Sequence, residues 1–252
     1  MSALICALLA GAVVGLALGA LGGGGSVLAV PALIYLLGFT PAAATTASLI
    51  IVTATSLTAL YGHARAGNVR WRAGALFAAA GLVPAAVAGA LAAHLPQPLL
   101  TAAFAVVAAL AATRMLRSTR RAPDPGPHPR TVRPVRAAAT GAGLGALTGL
   151  LGVGGGFLAV PALVTVLAFE MRAAVGTSLL VITTGSLASL ATRAGAAVSL
   201  DWSVIGPFVA AAVLGAWDGK RLAAKVTGTL LQRVFAVLLL GVAALMLLDA
   251  VV

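Results

Sequence analysis

The stretch LGGGGSVLAVPAL at 21–33 returns as LGVGGGFLAVPAL at 151–163, with ten of thirteen positions identical. Glycine costs a helix interior about 1 kcal/mol relative to alanine, and proline about 3 kcal/mol. A run of three or four glycines followed by proline therefore breaks whatever helix contains it, and this chain does so twice. The match continues at the same offset of 130 residues. Gly11, Gly15 and Gly19 pair with Gly141, Gly145 and Gly149, and Ser48, Thr53 and Ser56 pair with Ser178, Thr183 and Ser186. The chain reads as two homologous halves, 1–113 and 137–252. They are joined by 114–136, which holds seven arginines and five prolines and is expected to be a solvated, extended linker.

The breaks interrupt membrane-spanning sequence. Hydrophobic residues make up 61% of the chain and charged residues 8%, where a soluble domain carries about 25% charged. Mean hydropathy is +1.11. Apolar runs near the ~20 residues that cross a bilayer recur throughout. Their Ala, Leu, Val and Gly content suits helices rather than the alternating strands of a barrel. The fold class expected is an all-α, multi-pass integral membrane protein. The first twenty residues lack the basic start of a cleaved signal peptide and read as the first membrane segment. The net charge of +11 reports topology and not nucleic-acid binding. With one cysteine, Cys6, and with His63, His94 and His128 far apart, no disulfide, metal site or cofactor is expected.

Each half follows one plan. Helices are expected at about 3–20, to about 38 after the glycines, and at 42–63, 73–93 and 96–113. The second set is 137–150, 157–168, 173–192, 203–217 and 228–248. If 3–38 crosses the bilayer once, the halves are parallel, and 11 basic residues face the linker's side against 5 on the other. If 3–38 doubles back, the halves are inverted and 15 of the 16 Lys and Arg residues lie on the linker's side. The positive-inside rule favours the inverted arrangement, with a cytoplasmic linker and outward termini. Inverted repeats around a midplane site are a common transporter plan.

Gly11, Gly15 and Gly19 have the small-xxx-small spacing of closely packed membrane helices. The runs Gly22, Gly23, Gly24, Gly25 and Gly152, Gly154, Gly155, Gly156 exceed what packing needs. Unwound backbone in lipid must face protein or water, and Pro31 and Pro161 are expected to extend each break. A short helix beginning after each run points N–H groups and a positive dipole end at the midplane, which makes an anion site without a cationic side chain. Ser26 adds a hydroxyl in the first half. Ser48, Ser56, Ser178 and Ser186 either donate to the anion or serve as interhelical glue. Arg65 reads as an anchor. Arg193 falls on the sparsely basic side, where it is a candidate for drawing anions into the pathway.

No Asp, Glu, Lys or His is expected in mid-span, so no carboxylate relay for protons or sodium is visible. Export of an anion from a negative cytoplasm gains about 2.3 kcal/mol per charge per 100 mV and needs none. The partners expected are a small anionic substrate and the lipid bilayer, and a homo-oligomer is compatible with this plan. No nucleotide loop, nucleophile dyad or metal cluster marks an enzyme. Two alternatives remain open: a transporter of another small solute, a carboxylate or a metal ion, and a non-transporting membrane scaffold.

The doubled motif, GLALGALGGGGSVLAVPAL (15–33) and GALTGLLGVGGGFLAVPAL (145–163), resembles the sulfite exporter TauE/SafE family. GNVRWR (67–72) resembles that family's G-N-V-D-W-R signature, and SLDW (199–202) its second copy. Val153 interrupts the second glycine run, and Arg70 stands where the family often has an acid. The resemblance implies transport of sulfur-containing anions, such as sulfite, sulfonates or organosulfonates, across the bacterial inner membrane.

Overall fold

The computed structural model describes residues 2–92, 96–120, 134–151, 156–193 and 201–251, and every element among them is helical. The first half comprises α1 (Ser2–Leu21), α2 (Gly24–Pro31), α3 (Pro41–Arg65), α4 (Trp71–Ala92) and α5 (Gln97–Arg120). The second comprises α6 (Pro134–Leu151), α7 (Gly156–Thr165), α8 (Met171–Arg193), α9 (Trp202–Lys225) and α10 (Gly228–Val251). Five of these, α1, α3, α4, α8 and α9, are long and apolar enough to cross a membrane. Large apolar side chains stand exposed around the outside, with Leu9 at 64%, Val83 at 70% and Leu214 at 69%. Water would penalise that surface and lipid does not. The chain is an all-α, multi-pass membrane protein.

The chain reverses at the first glycine run. Gly25 of α2 lies against Leu18 and the Val14 carbonyl of α1, so α2 runs back along α1. After Pro31 the return leg continues as a π-helical stretch, Ala32–Leu36. Such wide turns accommodate an interruption of the i→i−4 ladder. Thr40 then caps α3, accepting from the Ala43 N–H at 3.4 Å, with Pro41 in the first turn. Near the far end of α3, the His63 ring reaches the Gly19 carbonyl of α1 at 3.2 Å. Helices α1 and α3 therefore run the same way, with α2 and the π-helical stretch between them.

One helix–helix joint occurs twice. Gly11, Gly15 and Gly19 of α1 lie in ascending order against the Phe208, Ala212 and Ala216 carbonyls of α9. Gly141, Gly145 and Gly149 of α6 lie the same way against the Phe77, Gly81 and Ala85 carbonyls of α4. Both pairs are parallel, and a Cβ at any of these six glycines would overlap the facing backbone. This is the close packing expected of the spacing, and membrane helices gain their association from it.

Two expectations change. The linker was expected to occupy all of 114–136, but α5 runs on to Arg120 and α6 begins at Pro134. The α5 extension turns Ala112 and Met115 inward and Arg114 and Arg117 outward, and Gln232 of α10 donates to the Met115 carbonyl at 2.8 Å. Residues 121–133 lie outside the described set. Likewise α9 does not stop at 217 but reaches Lys225, because Gly219 and Ala223 extend its seam into the interior.

Arg70, which stands where the resembled family often has an acid, immediately precedes α4. Its carbonyl accepts from the Gly74 N–H at 2.9 Å, so it occupies the N-cap place of α4. At the corresponding place before α9, Asp201 accepts from the Ser203 N–H at 3.0 Å and caps the helix. An acid here caps a helix, and arginine cannot. Replacing Arg70 with aspartate is expected to stabilise the fold by about 1 kcal/mol, read as a raised thermal midpoint in detergent. A lowered midpoint would count against the capping account.

Candidate functional site

The first glycine break is shorter than four residues. Only Gly22 and Gly23 lie outside helices, since Gly24 and Gly25 already belong to α2. Gly22 takes the left-handed conformation, with φ of +72°, which favours glycine because it lacks a Cβ. Its N–H donates to the Leu18 carbonyl at 2.9 Å. That group closes the last turn of α1 and is not the bare donor expected from the glycine run. Gly23 has right-handed helical angles and stands at the N-cap of α2. Pro31 ends α2 on an exposed face, whereas Pro161 is buried within α7 without ending it. Of the second run, Gly156 opens α7, while Gly152, Gly154 and Gly155 lie outside the described residues, as do the side chains of Ser26 and Arg193.

Gly22 packs into α8 and α7. A Cβ at Gly22 would stand 2.6 Å from Ser178 Oγ, 3.2 Å from a Val160 methyl and 3.4 Å from the Val175 Cα. Ser178 is fully buried and donates to the Val175 carbonyl at 2.8 Å. Its counterpart Ser48, also buried, donates to the Thr45 carbonyl at 2.8 Å. These are helix back-bonds, which occupy the one hydrogen each hydroxyl carries. To donate to a solute, either serine must rotate away from its own helix.

A second pair lies deeper. Thr183 and Ser56 are hydrogen-bonded at 2.9 Å across the α3–α8 seam; Thr183 also lies 2.8 Å from the Leu179 carbonyl and Ser56 3.2 Å from the Thr53 carbonyl, so one hydroxyl donates across the seam while the other donates to its own helix. Ser186 is buried one turn beyond Thr183 on α8. At 1.5 Å per residue, Ser178 lies about 10 Å along α8 and Thr183 about 18 Å, while Arg193 ends that helix. The structure thus brings Gly22 to Ser178 and Ser56 to Thr183, at two levels. The expectation of a break at the middle shifts accordingly: Gly22 meets α8 nearer its start than its centre. Thr183→Val is expected to cost ~0.6 kcal/mol, the average for such a bond in a membrane bundle. The check is thermal unfolding in detergent, and an unchanged midpoint would show that the pair contributes nothing.

Between Gly22 and the end of the bundle where α3 and α9 finish is a cavity of about 200 Å³. His63, Asn68, Arg172 and Lys220 line it, with Val175 and Leu231 among its apolar walls. Val175 faces both this cavity and Gly22. Arg172 donates to the Ala224 and Val226 carbonyls at the end of α9, each at 3.1 Å. The Lys220 Nζ lies 5.9 Å from the centre of the Trp217 ring. The sequence reading missed this cluster because it ended α9 at 217 and placed Lys220 in a loop. The extended α9 instead carries Lys220 inward against Gly62. No cluster suited to a metal ion occurs among the described residues.

The family model for the sulfite exporter TauE/SafE matches residues 7–246. The chain belongs to the TauE/SafE family. Two curated relatives, each named a probable membrane transporter protein, come from Xylella fastidiosa strains 9a5c and Temecula1 / ATCC 700964. Each is 34% identical over 95% of this chain and 93% of the relative. No solved structure matches the chain at a significant level. Among the described residues, the break at Gly22, the α3–α8 hydroxyls and the cationic cavity are internal polar features of this TauE/SafE member.

Proposed function

We propose that this chain carries a small sulfur-containing anion (sulfite, a sulfonate or an organosulfonate) across the bacterial inner membrane, along the α3–α8 seam. The match of the TauE/SafE model over residues 7–246 carries the solute class. Three structural features support an anion path. Basic residues gather where α3 and α9 end, the Gly22 turn abuts buried Ser178, and hydroxyls line the seam beyond it. The protein binds and releases its solute without covalent chemistry, and no carboxylate lies among the buried polar residues described.

The halves are read as inverted repeats, related by a pseudo-twofold axis in the membrane plane. The reversal of α2 on α1, the doubled glycine joint and the gathering of His63, Arg172 and Lys220 at one end support that reading. With the linker cytoplasmic, that end faces the cytoplasm. A reporter enzyme fused after residue 252 is expected to be active only outside the cytoplasm; activity inside would overturn the inverted plan.

Flux settles the solute. Purified protein in liposomes is expected to move sulfite or a sulfonate faster than acetate, accelerated by a potential that is negative on the anion's side. Well-folded protein that moves none of sulfite, thiosulfate, taurine-like sulfonates or acetate, under either sign of potential, would defeat the proposal.

A further inference from the structure

The outward face of the α3–α9 joint carries side chains that the bundle leaves exposed. Helices α3 and α9 both run parallel to α1 and finish at the same end, where Gly62 lies against the Lys220 side chain. Each turns one residue toward α1: the His63 ring reaches the Gly19 carbonyl, and Gly219 packs against the Leu16 carbonyl. Tyr61 and Arg65 stand two residues either side of His63, and Trp217 and Arg221 two residues either side of Gly219. Two residues turn a helix by about 200°, so these four side chains point away from α1. All four are exposed, and together they border a groove between the ends of α3 and α9.

The groove is graded along its length. Leu57 and Leu214, exposed at 47% and 69%, lie deepest. About one turn further out come Tyr61 and Trp217, and beyond them Arg65 and Arg221. Each guanidinium sits over its own aromatic ring: Arg65 Cζ lies 4.9 Å from the centre of Tyr61, and Arg221 Cζ 5.9 Å from that of Trp217. Asp218 is the one carboxylate within either helix, and it pairs with Arg221 at 3.5 Å with both side chains exposed. An exposed pair of this kind is weak, and Lys220, Arg65 and Arg221 against one acid leave the rim positive. Apolar, then aromatic, then cationic is the order of acyl chain, interface and phosphate in a phospholipid leaflet. A protein partner imposes no such order.

We propose that this groove seats one anionic phospholipid, with an acyl chain against Leu57 and Leu214 and the phosphate between the Arg65 and Arg221 guanidinium groups. The Tyr61 and Trp217 rings hold the two guanidinium groups at the groove's edges, where their N–H groups donate to the phosphate oxygens. Arg65 then does more than fix topology. An anchor needs only charge on one side of the membrane, whereas this site needs two cations on adjacent helices. The groove opens outward onto lipid, away from the α3–α8 seam, and its readout is bound lipid, so the proposal stands or falls separately from flux.

Native mass spectrometry of the purified, delipidated full-length protein tests it. Given equal amounts of phosphatidylglycerol and phosphatidylcholine, the protein is expected to retain the anionic lipid at least about tenfold more, the range of two charge-assisted contacts. Arg65→Gln combined with Arg221→Gln is expected to bring that ratio close to one, and each single change to lower it about threefold. Arg114→Gln combined with Arg117→Gln removes the same charge from the exposed side of α5 and is expected to leave the ratio unchanged. Free glycerol phosphate at the lipid's concentration is expected not to displace it. Equal retention of the two lipids, a ratio that survives the double change, the same loss in the α5 variant, or displacement by glycerol phosphate would each overturn the proposal. A lipid-free mass of two chains that the double change splits would assign the groove to a second copy and overturn it as well. Both arginines are exposed, so their replacement is expected to keep the fold, which thermal unfolding in detergent checks. The single changes carry the test if the double one does not fold.

Discussion

A Gly15→Leu chain is expected to yield no monodisperse, folded protein. In the α1–α9 joint a Cβ at Gly15 would overlap the Ala212 carbonyl, and Gly11 and Gly19 make the same approach one turn away on either side. Overpacking a core costs about 1–3 kcal/mol where side chains can yield. Here the facing atoms are backbone, so the two helices must separate along the seam, and the small-residue packing that replaces the hydrophobic effect in lipid is lost with it. Gly145→Leu is expected to do the same to the α4–α6 joint, where the facing atom is the Gly81 carbonyl. Gly143→Leu is the control, because nothing lies within 4 Å of its added Cβ. Size-exclusion profiles of the detergent-extracted proteins decide the matter. Profiles for Gly15→Leu and Gly143→Leu that match the unaltered protein would show that the seam tolerates a side chain.

Gly22→Ala is expected to act on transport rather than on assembly. The substitution puts an L-residue at φ of +72°, at a cost of roughly 1–2 kcal/mol. It also presses a methyl group to 2.6 Å from Ser178 Oγ. The local geometry of the α1–α2 turn must shift, yet the glycine seams remain intact. Folded yield is expected to persist while anion flux falls more than tenfold. Adding Ser178→Gly removes the clash but not the dihedral strain, so the double variant is expected to recover part of the flux. Flux above half the original level in Gly22→Ala would show that the turn is only a packing device. Recovery that is complete in the double variant would assign the whole effect to the Ser178 contact.

These two glycines illustrate how differently the parts of this protein can be read from its sequence. Gly15 belongs to a stripe with a four-residue period, and that period alone predicts a close helix–helix contact. Gly22 belongs to a run of four identical residues, and nothing in the run singles it out. The dihedral angles do, because α1 ends one residue before it and α2 begins two residues after it. The prolines are similar. Both were expected to extend the breaks, yet Pro161 sits inside a continuous α7, and Pro31 passes directly into a π-helical stretch. A proline removes one donor and crowds one turn, and whether the helix stops or merely widens depends on what its neighbours can bond.

The hydroxyls were legible as residues that matter but not as pairs. Ser56 was expected either to donate to an anion or to serve as interhelical glue, and its hydroxyl lies 2.9 Å from that of Thr183, 127 positions along the chain. The cationic cavity was not legible at all. Each of its charges alone resembles a positive-inside anchor, and the cavity exists only because α9 continues past 217 and draws Lys220 beside His63.

By itself the sequence determined that the chain lives in lipid, that it is helical and that the glycine motif of 21–33 returns at 151–163. Lipid cannot satisfy a backbone group, so apolar runs of this length and composition fold as helices. Only the tertiary structure decided that α2 doubles back along α1, that Gly22 meets Ser178 and that His63 holds Gly19 beside a cavity with two cations. Those contacts join residues far apart in the chain. They follow from which helix faces dock and how far each helix runs, quantities that a local pattern of residues does not contain.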